Sequence, residues 1–314
     1  MKISALKKRL PNVMNVLGET WLDKQRGWIS RFINSRIKWY EQTEVDLALL
    51  RMRIDLGRLI SCYRTLLRDR SQIQKCIYEI HGAALLSAVA NRVDLHVPRS
   101  NGSRRNFDVR VEIEGHTVNA DSKTRTDDFP FNLPKRKGPS QVHNHAGVRA
   151  TIDPHDASDL GLGVKQPQDF HYIETPESTV IRQLLLDGLA QLPQLGCNLI
   201  IFGHIEGQRR SLEDALFGAE FVGIRKNLKT RQVITEWVRS PTGAFGPGPE
   251  GDPFRPLSGV LWVRLFKSFD NCLFRAYKLY ANPHAAVCIP DDVKRAIEKI
   301  AQEWEVLPES ETQQ

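Results

Sequence analysis

The chain has 314 residues, 41% hydrophobic and 26% charged, with a net charge of +7 and a pI near 9.2. That is long enough for one large domain or two smaller ones, and apolar enough for a packed core. No run of eighteen apolar residues occurs, so no membrane span is expected. The five cysteines (Cys62, Cys76, Cys197, Cys272, Cys288) are scattered without CxxC spacing and read as buried, reduced thiols of a cytoplasmic protein.

The charge is unevenly placed. Residues 1–70 hold 15 Lys and Arg against 7 Asp and Glu, whereas the other 244 hold 29 against 30. A localised basic face favours a polyanionic partner, nucleic acid before membrane. The bland alternative is a solvated helical surface that touches nothing. Met1 to Pro11 is basic and lacks the apolar stretch and small-residue cleavage site of a secretory leader, so none is expected. Val16, Leu17, Trp21, Trp28, Ile29, Phe32, Ile33, Ile37 and Tyr40 recur at helical spacing and predict a helix over 14–41. Thr43-Glu44-Val45-Asp46 has the form of a capping box with Asp in place of Glu, and predicts a second helix to about Leu67. Together they are expected to form a basic antiparallel helical hairpin over 1–70. Arg31, Arg36, Lys38, Arg51, Arg53, Arg58 and Arg64 would line its outer surface.

Ser71-Gln72-Ile73-Gln74 is a second capping-box pattern and predicts a third helix through about Asn91. Ile73, Ile77, Ala84, Leu85 and Ala88 form its apolar stripe. Gly82 and Ala83 are small and would let the backbone around Glu79 approach a sheet closely. Val93 to Val97 predicts a short strand. Arg99 to Arg105 is a polar, basic loop in which Arg104 and Arg105 could grip phosphates.

A hairpin follows. Val109, Val111 and Ile113 alternate with Asp108, Arg110 and Glu112, the period of a strand with one apolar face. Glu114-Gly115 offers a tight turn. Counting from it pairs Ile113 with His116, Val111 with Val118 and Val109 with Ala120. Asp108 then falls opposite Asp121. Like charges directly opposed in a sheet are destabilising, and a divalent cation is one way to justify them, because hard cations take carboxylate oxygens. Lys123, two residues past Asp121, projects from the same face.

Asp108, twelve intervening residues and then Asp121-Ser122-Lys123 resembles the signature of the PD-(D/E)XK nuclease superfamily, the restriction-endonuclease-like fold. Glu79, on the helix before the sheet, matches that family's upstream acid. Phe107 stands where the family name has Pro. The resemblance implies catalysis by Glu79, Asp108, Asp121 and Lys123. It implies Mg²⁺ (or Mn²⁺) held by Asp108, Asp121 and the Ser122 backbone carbonyl, with Glu79 acting through water. It spans roughly residues 72–206 and says nothing specific about 1–70. The chain's other Asp-x-Lys, Asp292-Val293-Lys294, follows Pro290 and reads as an ordinary helix start.

From Thr124 to Pro176 no long periodic segment occurs, which suggests a functional insertion covering substrate. It carries the basic run Lys135-Arg136-Lys137, expected to bind nucleic acid, and His143, His145, His155 and His171. A zinc site from those histidines with Asp153 or Asp156 is an alternative, although their spacing fits no standard site. Glu177 to Leu192 predicts a helix and Asn198 to Ile205 a buried strand. Ser211 to Gly218 predicts a short helix, and Val233 to Val238, Leu257 to Leu265 and Phe274 to Tyr280 predict strands. Ser240 to Pro256 is Pro/Gly-rich loop. Asp291 to Trp304 predicts the last helix, before a polar tail from about Pro308.

The expected architecture is α/β (α+β): a mixed sheet flanked by helices after a helical hairpin. Its parts are 1–70, a nuclease-like core over 71–240 with an insertion at 124–176, and 241–307 completing that core. The expected function is metal-dependent hydrolysis of DNA phosphodiesters in restriction, repair or defence, with RNA as the other possible substrate and a homodimer or protein partner possible. The alternative is a nucleic-acid-binding or assembly protein that keeps the fold without cleaving.

Overall fold

The computed structural model describes residues 3–24, 26–69, 71–98, 106–124, 176–204, 209–218, 220–226, 233–239, 243–267 and 273–304. The chain divides into two units. One comprises residues 1–133, 184–207 and 255–314; the other comprises 134–183 and 208–254.

The first unit is built on a six-stranded mixed sheet. In chain order its strands are β1 (Arg92–Pro98), β2 (Asn106–Ile113), β3 (His116–Thr124), β4 (Cys197–His204), β7 (Gly259–Lys267) and β8 (Leu273–Ala281), which is also their spatial order. β1, β2 and β3 are antiparallel, β3, β4 and β7 run parallel, and β8 returns antiparallel. The parallel middle is covered on both faces. This is why Leu199, Ile200, Ile201 and Phe202 are all buried in one unbroken apolar run.

The β2–β3 hairpin turns on Glu114 (φ 50°) and Gly115 (φ 79°), the paired left-handed conformations a two-residue turn needs. Ile113 pairs with His116, Val111 with Val118 and Val109 with Ala120, the counted register. The ladder ends there. Asp108 and Asp121 are not a ladder pair; the Asp108 carboxylate instead accepts the Ser122 backbone N–H at 2.7 Å. The strands part because a side chain has taken the donor that the next rung would use.

Two helices lie on opposite faces of the sheet. A Cβ at Gly82 of α7 (Ile73–Val89) would sit 2.5 Å from Ile201 Cγ2. One at Gly188 of α8 (Pro176–Leu189) would meet Ile200 Cδ1 at 3.0 Å. Neighbouring residues of a strand point to opposite faces. Gly82 is therefore the close approach its size suggested. α10 (Asp291–Trp304) follows Pro290 and packs on β8 and α7. Ser258 and Asn282, near the ends of β7 and β8, hold strand termini: Ser258 Oγ donates to Val287 O at 2.6 Å and Asn282 Nδ2 to Leu257 O at 2.9 Å.

The N-terminal segment is not two long helices. It forms α1 (Ile3–Arg9), α2 (Pro11–Leu17), α3 (Glu19–Lys24), α4 (Arg26–Asn34), α5 (Ile37–Arg51) and α6 (Leu56–Arg68). Pro11 starts α2, and Gly18 at φ 82° ends it. α5 and α6 do not pair as a hairpin; α2 packs on both, and both pack on α7. Thr43 caps nothing: it lies inside α5, where its hydroxyl donates to Trp39 O at 2.9 Å. Glu44 instead caps α2, accepting from the N–H groups of Asn12 (3.0 Å) and Val13 (2.9 Å). The cap of α6 is Asp55, which accepts from Arg58 N at 2.9 Å. Ser71 does not cap α7 either; its hydroxyl donates to Asp69 at 2.8 Å.

The arginines expected to line the outside are partly spent inside the unit. Arg51 donates to Asn12 Oδ1 at 2.6 Å, Arg64 to Val16 O at 2.8 Å, and Arg58 to the carbonyls of Leu95 and His96. Cys62, Cys76 and Cys197 are buried thiols as expected, whereas Cys288 is exposed.

The second unit, by itself, contains α9 (Arg209–Phe217) and a two-stranded antiparallel sheet of β5 (Glu220–Lys226) and β6 (Val233–Arg239). β5 is a strand the sequence reading did not anticipate. Ala244 and Phe245 donate backbone N–H groups to Ala215 and Leu216, and the rings of Phe217 and Phe245 meet edge to face at 5.8 Å. Among the described residues no helix is long and apolar enough to cross a membrane.

Candidate active site

β3 brings together Asp121 and Lys123 on one face, as its alternation requires. Lys123 Nζ ion-pairs with Asp121 Oδ2 and lies 3.4 Å from the Ser122 carbonyl oxygen. Gln191, just beyond α8, completes the ammonium's surroundings. With its carboxamide oxygen turned inward it accepts from Nζ at 2.8 Å, while its nitrogen donates to Asn106 O at 3.3 Å. Asp121 is fully buried and, among the described residues, its second oxygen, Oδ1, has no hydrogen-bond partner. A buried carboxylate oxygen left in this state is costly unless something fills it.

Asp108 is the second acid, 8% exposed at the point where β2 and β3 part. Burial pushes its carboxyl well above the usual range, and the nearby charges of Glu79 and Asp121 push the same way. Lys75 and the Ser122 N–H oppose them. Asp121 is raised to about 6, first by burial, against the lowering effect of Lys123. The two acids therefore lie within each other's field although they are not cross-strand partners.

Glu79 is the third. α7 buries it to 1% exposure, and its Oε1 lies 2.7 Å from His96 Nε2. His96 belongs to β1 and takes a left-handed φ of 46°, uncommon for a residue with a Cβ. Its ring rests edge-on against Tyr63 at 5.6 Å. Burial disfavours the imidazolium, but contacts with Cys62 and Glu79 outweigh it and lift His96 to about 10. The His96 imidazolium thus faces the Glu79 side chain inside the fold.

Glu79, Asp108, Asp121 and Lys123, chosen from sequence, fall in one electrostatically linked cluster. Among the described residues, no group of three or more His, Cys, Asp and Glu side chains is arranged to hold a metal ion. Glu79 is engaged by His96. Asp108, Asp121 and the Ser122 carbonyl remain, one or two carboxylates being what Mg²⁺ usually takes from a protein. The unpartnered Asp121 Oδ1 fits that use. Arg104, Arg105, Lys135, Arg136, Lys137 and the histidines 143, 145, 155 and 171 lie outside the described residues.

His96, Gln191 and Lys75 were not anticipated. His96 carried a faint signal, a polar residue between Leu95 and Val97 in a short strand. Lys75 stands one helical turn before Glu79, a spacing that places both on one face. Gln191 had none, because its position depends on how the chain returns to the sheet after α8. A groove of about 470 Å³ opens over Arg92, Arg110, Glu112 and Asn119 on β1 to β3; none of the candidate acids lines it. No protein-family model, curated protein or solved structure matches the chain.

Proposed function

We propose that the protein is a metal-dependent nuclease of the PD-(D/E)XK type, with the restriction-endonuclease-like core, hydrolysing phosphodiester bonds in DNA. The observation that carries the reading is the buried Asp121–Lys123 pair with one carboxylate oxygen unpartnered among the described residues, beside a second buried acid at the parting of two strands. The chain order of α7, β1 to β3, α8 and β4 agrees with that core. Asp108, Asp121 and the Ser122 carbonyl would hold Mg²⁺ or Mn²⁺, and Glu79 would reach it through water. A bound divalent metal supplies a more acidic water and positive charge at the scissile phosphate.

The chain's own residues do the rest. Lys123, held beside Asp121, offsets charge on the phosphate in the transition state. His96 holds Glu79 in place. Gln191 fixes the Lys123 ammonium. Duplex DNA in restriction, repair or defence is the substrate this chemistry suits. Incubating the protein with supercoiled and linear DNA, with Mg²⁺ or with EDTA, tests the reading. Cleavage should need the metal, and Lys123→Met should lower it by ~10²–10³-fold, the usual cost of losing one charge-stabilising donor, with DNA binding retained. Binding without any metal-dependent cleavage would instead favour a non-catalytic nucleic-acid-binding protein.

A further inference from the structure

Lys123 has three N–H donors. Asp121 Oδ2, the Ser122 carbonyl and the Gln191 carboxamide oxygen take all three. A phosphate arriving at the site therefore meets a lysine already fully engaged, and gains a bond from it only by displacing a partner. The site has another cation. Lys75 is half-buried in the first turn of α7, four residues before Glu79 and on the same helical face. Among the described residues it makes no hydrogen bond and no ion pair, although its charge interacts with Asp108, Glu79 and Asp121 together. Those acids raise its pKa against the opposing effect of burial. Lys75 thus lies within the field of three carboxylates and, among the described residues, is ion-paired with none of them.

We propose that Lys75 is a substrate-binding residue that donates to a non-bridging phosphate oxygen of the nucleic-acid strand entering the acid cluster. The inference rests on the nuclease reading and adds to it the group that receives the phosphate while Lys123 stays on Asp121. A flexible, strongly hydrated ammonium with free donors suits a phosphate that changes position between binding and cleavage. Lys75→Arg should keep the contact, whereas Lys75→Gln should lose it.

The test has two readouts. Binding of a fluorescein-labelled 20-base-pair duplex is measured in EDTA across a salt series. For Lys75→Gln the slope of log K against log salt should become shallower by about 0.9, the value for one lost phosphate contact on duplex DNA. Mg²⁺-dependent cleavage by the same variant should fall at least ~10-fold in kcat/KM, with Lys75→Arg recovering most of both. An unchanged salt slope with kcat/KM within about twofold of wild type, in a variant whose thermal midpoint is also unchanged, would overturn the proposal while leaving the nuclease reading intact. A wild-type protein that shows no Mg²⁺-dependent cleavage would remove both.

Discussion

Asp121→Asn is expected to reduce Mg²⁺-dependent DNA cleavage by about 10³-fold or more, and to make the metal-free protein's stability less sensitive to pH. The first effect exceeds the 10- to 100-fold typical of removing a group that only supports a metal ligand, because Asn loses the charge that would attract the cation. The second follows from burial. The Asp121 carboxyl is raised from 3.8 to about 6, and Asp108 is raised as well. The folded protein therefore takes up protons on these groups more readily than the unfolded chain does. Their contribution to stability is fully present below the unfolded value near 3.8, and is lost as pH rises through the folded value.

Urea unfolding in EDTA at pH 5 and pH 8 should show the wild type weaker at the higher pH on their account, with a smaller drop in Asp121→Asn. Added Mg²⁺ should narrow the wild-type gap, since a ligand that binds only the folded state stabilises it. A variant that cleaves like wild type would end the assignment of Asp121 to the chemistry.

Asp46→Ala is expected to destabilise the protein by about 1–3 kcal/mol, the range for leaving a buried hydrogen-bonding partner unsatisfied. Asp46 Oδ2 lies 2.6 Å from His81 Nδ1, and His81 Nε2 lies 2.6 Å from the Tyr277 hydroxyl. All three side chains are buried, and the imidazole and phenol rings stack at 5.4 Å. Gln42 donates to the other Asp46 oxygen at 2.8 Å. The chain of contacts joins α5, α7 and β8, so removing the carboxylate strands the imidazole in an apolar interior. Thermal or urea unfolding measures the loss. The double variant Asp46→Leu, His81→Leu should be closer to wild type than Asp46→Ala, because no half of the pair is left behind. His81 also sits two residues beyond Glu79, so a loosened α7 should lower activity in the single variant at temperatures where it remains folded.

The parts of the fold most readable from sequence are those whose local signals face no competition. α10 begins after Pro290 with two acids in its first turn, and the β2–β3 register follows from Glu114-Gly115 and simple alternation. The N-terminal helices were misread because their signals serve other partners. Thr43 and Glu44 look like a cap, but tertiary contacts keep Thr43 inside α5 and send Glu44 to a different helix. Asp121 and Lys123 were legible because a strand's period fixes which face they share. The extra step at Asp108 was not, since a carboxylate inserting into a ladder is a tertiary choice that counting along a hairpin cannot anticipate. Gln191 reaches the site only through the return of the chain from α8.

Among the described residues strand β1 is bonded to a neighbouring strand on one side only, and Arg58 of α6 rests on its Leu95 and His96 carbonyls. An open strand of that kind is a template for pairing with a stray chain. The guanidinium occupies two of the carbonyls that such a chain would need. Cutting away residues 1–70 to obtain a smaller fragment would remove that contact along with the helices, and would bare the margin of the sheet that carries His96 itself.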